Sequence, residues 1–462
     1  MSKQKMSRRR FLQGALLSAA GAAAAACQPK TVVVRETVEV EKVVEKEKEV
    51  TRVVEAAPAS GPKMIRIMLS SWAVAEVPFD QMAREFSDKY EDIEVKIDTS
   101  VDDTKVLAQI ASDKVEWCGI GIISPFLDIV SRVESGLLQP MEEFFNSSGE
   151  EGASQIMTDM IPSVKEDSSY KGHFYSIPYS FENITFNWRK DYYAEVGWDK
   201  RPETWNEWYE VSKELKKWGE DEEIIPTGWI GALWTDCGAL ICSAMEKPYT
   251  DEGLVDWTSD EAIEALEFYR KLVYEELTPP HGFDGWWESY QLGKLASVQA
   301  QSSRGVWGQM LHGQDKVVTS PIPTKEKGGG AGTVYWGNGL GVINKAPYPQ
   351  EVVDFYVYAF GPANQGFQTA VIKSGKTPVY DSTYTGLLET DPMLATYKWM
   401  VGMRDDVARS SPVPRNTFYL IQHQMYQNWI VKFTEDPNMT AAECAEGILA
   451  DSRAEIEKQK VQ

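Results

Sequence analysis

Residues 170–218 read YKGHFYSIPYSFENITFNWRKDYYAEVGWDKRPETWNEWYEVSKELKKW. Tyr170-Lys171-Gly172 has the composition of a turn. Phe174 to Pro178 is expected to be a strand, Ile184 to Trp188 a second strand, and a helix is expected to open at Lys190. A further helix follows Thr204. Its hydroxyl can cap the first turn, and Glu207 stands three residues on, the spacing of a capping box.

The pattern continues on both sides of this run. In MIRIMLSSW (64–72), Ile65, Ile67 and Leu69 alternate with polar or long residues, and two serines end the strand. FDQMAREFSDKY (79–90) carries Phe79, Met82, Phe86 and Tyr90 at helical spacing, and IEVKI (93–97) alternates again. A β-α-β opening implies a parallel sheet covered by helices. CGIGIIS (118–124) reads as a short buried strand, followed by a helix from Pro125 to about Glu134, before Gly136. Strands and helices alternate to the end of the chain, without an internal repeat.

The N-terminal segment follows other rules. Ser7-Arg8-Arg9-Arg10-Phe11-Leu12 matches a twin-arginine export signal, with an apolar stretch to Ala26 that is too short and alanine-rich for a spanning helix. Ala24-Ala25-Ala26-Cys27 is expected to be cut before Cys27 and the cysteine lipidated; an A-x-A cut that leaves Cys27 unmodified is the alternative. Residues 31–55 contain only Val, Glu, Lys, Arg and Thr. Such a segment lacks the residues to build a core and reads as an extended charged spacer. Val33, Val40, Val43, Val50 and Val54 do fall at heptad spacing, but Glu36 and Glu47 break the seam.

The chain has 462 residues and a net charge of −22, and residues 1–26 hold five basic side chains and no acidic one, leaving −27 on the remainder. That length suggests more than one domain, and that charge excludes nucleic acid and an anionic membrane surface as partners. Beyond Cys27, the cysteines Cys118, Cys237, Cys242 and Cys444 form no C-x-x-C pair, and the four histidines form no H-x-x-x-H pair, so no metal or other cofactor is expected. Cys237 and Cys242 are near enough for a disulfide, unless one helix turns them apart. No G-x-S-x-G marks a nucleophilic hydrolase.

Within residues 170–218, Tyr170/Gly172, Ile177-Pro178, Phe186-Asn187, Gly197 to Pro202 and Thr204-Trp205-Asn206-Glu207 occur in an order that resembles the family 1 extracellular solute-binding proteins of ABC transporters, the maltose-binding-protein-like group. FSDKYEDIEVKI, LGKLASVQAQSSRGVW (292–307), VVTSPIPTKEKGGGAG (317–332), GLGVINKAPYPQEVVDFYVYAF (339–360) and TAAECAEGILA (440–450) extend the resemblance over most of the folded chain. Where that family has Pro-Asp-Val before the strand at 118–124, this chain has Val115-Glu116-Trp117.

The resemblance implies an α/β, two-lobed periplasmic-binding-protein-like fold of class II, with a ligand cleft between lobes joined by crossover strands. The expected division is a signal and lipobox over 1–27, a tether over 28–62, one lobe from 63–181 and 335–382, and another from 182–334 and 383–456. It implies a monomer without catalytic activity, anchored on the outer face of the membrane, that delivers a sugar to an ABC permease. A lipid on Cys27 and a charged spacer suit that role.

Sixteen tryptophans are a heavy load. A flat apolar sugar face can be covered by an aromatic ring, while polar groups read its hydroxyls. Trp72, Trp229, Trp234, Trp286, Trp287 and Trp336 are candidates because they read as loop residues, with core packing the alternative for each. Trp287 and Trp336 are expected to stack, one from each lobe. Trp205, Trp208 and Trp218 read as packing. Polar candidates are Ser71 and Ser124 at strand ends, Glu182 and Asn183 at the crossover, and Asp236, Ser303, Arg304, Asn338 and Arg415. Asp236 and Glu182 with aromatics could serve a polyamine or other cation instead. A secreted glycoside hydrolase would need two carboxyl groups about 5–5.5 or 6.5–9.5 Å apart across a cleft.

Overall fold

Alternating apolar strands and amphipathic helices assemble into one extended sheet. The computed structural model describes residues 61–122, 125–230, 237–330, 332–409 and 418–460, so the expected signal and nearly all of the expected tether lie outside the described residues. The strands are β1 (Lys63–Met68), β2 (Ile93–Asp98), β3 (Gly119–Ile122), β4 (Leu138–Gln139), β5 (Ser169–Tyr170), β6 (His173–Phe174), β7 (Ile177–Arg189), β8 (Gly228–Ile230), β9 (Ser297–Gln301), β10 (Val317–Ser320) and β11 (Tyr335–Ile343). They run in the order β2-β1-β3-β11-β7-β9-β8, with β4 on β11 and β10 on β7. β1 is parallel to β2 and β3, and β8 is parallel to β9; the central pairs β3–β11, β11–β7 and β7–β9 are antiparallel. The α/β class expected from the sequence is the one observed.

The two strands expected within 174–188 are in fact one. β7 runs unbroken for 13 residues, all of them buried. The polar step Ser180–Asn183 that looks like a break is held by β11 on one side, and the chain beyond it by β9 and β10. Ahead of β7, β5 and β6 form a hairpin whose turn, Lys171 and Gly172, has φ of 49° and 83°. Both values favour a two-residue hairpin turn.

Among the described residues, the two largest hydrophobic cores lie along this sheet, and β7 feeds both. Ile177, Tyr179 and Phe181 belong to the first core, with the helices Phe79–Lys89 and Pro349–Phe360; Ile184, Phe186 and Trp188 belong to the second, with Trp205–Trp218 and Asp260–Tyr274. The change of core falls at Glu182-Asn183. Tyr384, Leu388, Leu394, Met400 and Val407 pack in the first core, whereas Tyr426, Ile430, Cys444 and Ile448 pack in the second.

Local signals hold closely. The helix Trp205–Trp218 is capped by Thr204, whose hydroxyl accepts from the Glu207 N–H at 3.2 Å. The Glu207 carboxylate reaches back one residue further than in the standard box, to the Glu203 N–H at 2.7 Å. Thr440 and Glu443 make the full reciprocal box at the start of the C-terminal helix, each accepting from the other's N–H. Such caps are worth about 1 kcal/mol each. Cys242 is free and buried in the helix Cys237–Ala244, so the pairing considered with Cys237 is not made; burial pushes its thiol up to about 12.

Candidate functional site

The carboxyl ends of β1 and β9 each lead into a helix that faces the point where β7 changes core. In open α/β sheets this is where ligands bind. After β1, the helix Ser71–Glu76 places Trp72 and Glu76 four residues apart, on one face. After β9, the helix Ser302–His312 opens with Ser303 and Arg304 in its first turn. Between them stands Glu182 of β7.

The group that ties these elements together is Lys376. Its ammonium lies 2.6 Å from Glu182 Oε1 and 2.8 Å from Glu76 Oε2, and 5.1 Å from the centre of the Trp72 ring. Backbone geometry puts it there. Thr377 exchanges both N–H···O bonds with Phe181, at 2.9 and 3.0 Å, which pins the segment along β7. Gly375 has a φ of 84°, and a Cβ on it would come within 2.8 Å of Val306 Cγ2 and 3.0 Å of Ser303 Cα. Only glycine lets this turn sit against the helix Ser302–His312.

The Lys376 side chain is 2% exposed. Burial alone would push its ammonium down, but Glu182 and Glu76 outweigh that and hold its pKa above the usual lysine range. Burial likewise pushes the Glu182 carboxyl up, yet Lys376, the Ser303 hydroxyl and the Arg304 guanidinium bring it below the usual glutamate range. Glu182 and Lys376 are thus each held in the charged form by the other, and the site sets the Glu182 and Glu76 carboxylates beside the Lys376 ammonium, with the Arg304 guanidinium near Glu182. Arg304 continues outward, 5.2 Å over the Trp287 ring, and Trp287 meets Trp307 edge-to-face at 6.0 Å.

The expected site residues divide accordingly. The structure brings Trp72, Glu182, Ser303, Arg304 and Trp287 into this chain of contacts, and Trp336 stands opposite Glu182 in the β11–β7 register. Paired residues of neighbouring strands share a face, so Trp336 and Glu182 lie side by side. Ser71 is exposed at the start of its helix.

Several expectations are corrected. Asn183 lies on the opposite face of β7 from Glu182, as alternation along a strand requires, and its amide points to Met403 Sδ at 3.2 Å. Trp229 is 4% exposed inside the second core, its indole N–H on Gln299 and its ring against Trp208 and Tyr269. Trp286 covers Gly228 and meets Phe283 edge-to-face. Asn338 is buried with its amide donating to the Ser180 hydroxyl at 3.3 Å. Trp117, in the stretch where the chain departs from the family's Pro-Asp-Val, is buried between the Arg66 guanidinium and the Lys105 ammonium, with its N–H on Asp98. Nor are the tryptophans loop residues: Trp72, Trp286 and Trp287 open helices, while Trp229 and Trp336 are in strands. Ser124, Trp234, Asp236, Arg415 and Cys27 lie outside the described residues.

Sequence reasoning missed Glu76 and Lys376. The i, i+4 spacing of Trp72 and Glu76 was a readable signal for the first. For Lys376, only the Gly375 turn beside it could have drawn attention.

Comparison with known proteins agrees with this architecture. Residues 81–396 match the bacterial extracellular solute-binding protein family, and the chain belongs to that family. An arabinooligosaccharide-binding protein of Halalkalibacterium halodurans is 25% identical over 203 residues, 41% of this chain and 44% of the relative, so the match spans less than half of that relative's length. Among solved structures, the cyclic alpha-maltosyl-1,6-maltose binding protein of Arthrobacter globiformis superposes with a TM-score of 0.67 at 17% identity, covering 85% of this chain and 99% of the other. UgpB of Mycobacterium tuberculosis, in complex with glycerophosphocholine, gives 0.68 at 18% identity, covering 87% and 100%. The fold is thus the two-lobed one of maltose-binding-protein-like receptors, and these relatives are binding proteins.

Proposed function

We propose that this chain is a lipid-anchored receptor outside the cell membrane that captures a sugar or oligosaccharide and hands it to an ABC permease. The observation that carries this reading is the charge-balanced floor at Glu182, Lys376, Glu76 and Arg304, flanked by the Trp72 and Trp287 rings. A balanced floor suits a neutral polyhydroxyl solute, whose hydroxyls both donate and accept, and rings suit its apolar faces. The names of relatives that bind arabinooligosaccharides and maltosyl sugars support the same class.

The finer parts of the proposal rest on the sequence. The twin-arginine signal would export a folded domain, Cys27 would carry the lipid, and the tether 28–62 would hold the receptor, a monomer, clear of the membrane. The lobes would be 63–181 with 335–407 and 182–334 with 426–456, since Tyr384 to Val407 pack in the first core rather than the second, with a hinge at the crossover. No catalytic step is assigned.

Calorimetric titration of the protein with arabino-, malto- and manno-oligosaccharides tests the ligand class. One series should bind with a dissociation constant in the micromolar range or tighter. Trp287→Ala and Trp336→Ala should each weaken that binding at least tenfold, and Trp229→Ala should instead lower thermal stability. A panel with no binding sugar, or Trp287 and Trp336 variants of unchanged affinity, would remove the reading or its site. Replacing Cys27 by Ser should move the protein from the membrane to the soluble fraction.

A further inference from the structure

Lys376 stands where a free cation could stand. A carboxylate on each side and an aromatic face nearby are the groups that recognise an alkylammonium ion. Here they are Glu182, Glu76 and Trp72, all within reach of one buried Nζ. These groups and the ammonium come from three separate parts of the chain: the helix after β1, the crossover of β7, and the segment after Gly375. The turn and pairing that place this segment need Gly375 and the Thr377 backbone, not a lysine side chain. An apolar side chain at 376 would satisfy the same backbone, so the ammonium is an addition that the local fold does not demand.

Its consequence is electrostatic. Without it, two carboxylates would share one mostly buried site, with the Ser303 hydroxyl and the Arg304 guanidinium near Glu182. Such a pair draws in a cation or a proton. With it, the cage is closed and its charge matched.

We propose that Lys376 is a resident cation that fills a carboxylate–aromatic cage on the cleft floor, bars alkylammonium solutes from it, and so determines specificity for neutral solutes. This rests on the reading of the cleft as the solute site. The ammonium solute that the aromatics and carboxylates alone would favour is excluded by the protein's own side chain.

Lys376→Ala removes a fragment the size of n-propylammonium and supplies the test. In the full chain carrying this change, n-propylammonium chloride should raise the unfolding temperature by a few degrees over an equal concentration of sodium chloride. It should also bind at least tenfold more tightly than to the wild type. Neutral n-propanol should do neither. A second variant, Lys376→Met with Glu76→Gln and Glu182→Gln, has no cage charge and should fold without any response to n-propylammonium. If Lys376→Ala is recovered only in insoluble form, n-propylammonium should restore soluble protein, and the triple variant should be soluble without it. The proposal is overturned if n-propylammonium neither stabilises nor rescues Lys376→Ala, if n-propanol does so equally, or if the triple variant responds as strongly. It is also overturned if wild type binds putrescine as tightly as Lys376→Ala does. The sugar titrations of the wild type decide the sugar reading separately. Their failure would leave the ammonium comparison readable, and failure of the ammonium comparison would leave the sugar result standing.

Discussion

Among the lysines that sit beside a carboxylate and near an aromatic ring, Lys89 and Lys376 do different things. Lys89 lies 2.7 Å from Glu150 and 5.0 Å from the ring centres of both Tyr90 and Tyr358, and its side chain is 45% exposed. Tyr90 donates its hydroxyl to the same Glu150 carboxylate. Lys376 has the same kinds of neighbours but two carboxylates, and its side chain is 2% exposed. Around Lys89 water can replace any partner that is lost. Around Lys376 it cannot, so each partner there depends on the others. The difference is position: Lys89 ends a surface helix, whereas Lys376 lies where the carboxyl ends of two strands face the crossover.

The largest expected effect breaks the buried grouping. Lys376→Met should cost about 3–5 kcal/mol of stability in urea unfolding, the usual result of leaving a buried charge unpaired. Adding Glu76→Gln and Glu182→Gln should recover much of it, because no uncompensated charge remains. A loss below about 1 kcal/mol for Lys376→Met would mean that water reaches the site and the contrast with Lys89 fails.

Next comes the ring. Trp72→Ala should weaken binding of the cognate sugar by about 30-fold, near 2 kcal/mol, as for a buried aromatic anchor. Tyr358→Ala, which strips a ring from Lys89, should leave affinity unchanged. Equal effects in the two titrations would show that Trp72 serves only to cover the lysine.

The pH dependence sharpens the same comparison. Glu182 has a lowered pKa, so its contribution is complete above the unfolded value of about 4.3 and is lost as pH falls through the folded one. Lys376 has a raised pKa, so its contribution is complete below about 10.4 and is lost as pH rises through the folded one. Between pH 7 and 5 this cluster should add no slope to the wild-type stability. In Lys376→Met the sign reverses: the buried carboxylates, now unpaired, take up protons in the native state first. That variant should gain stability relative to wild type from pH 7 to 5, by about 1.4 kcal/mol per unit of pKa elevation. Urea unfolding at the two pH values measures this, and parallel curves for both proteins would contradict it. The smallest effect belongs to the exposed lysine. Glu150→Gln, which leaves the 45% exposed Lys89 ammonium to water, should cost about 0–1 kcal/mol and leave the pH slope between 5 and 7 unchanged.

Much of this protein was legible along the chain because the relevant forces act over a few residues. Strand alternation at Ile65 and Ile67, helical spacing at Phe79, Met82 and Phe86, and the Thr204–Glu207 cap all appear where the sequence places them. Periodicity reports burial directly, and a cap needs only its own first turn. Glu182 was placed at a crossover by the family resemblance and not by periodicity, which read the polar step around it as a break between two strands.

The sequence by itself thus determined the α/β class and the order of its opening elements. Only the tertiary structure decided which side chains meet there. It separated Glu182 from its neighbour Asn183 by the two-residue alternation of β7, and it sent Trp229 into the second core. It also brought Glu76 and Lys376, 300 residues apart in numbering, within 2.8 Å of one another. Local propensity depends on neighbours in sequence, and the sequence carries it openly. The charge balance of a buried site depends on groups from distant segments that share a low-dielectric space, and only the folded chain assembles that space.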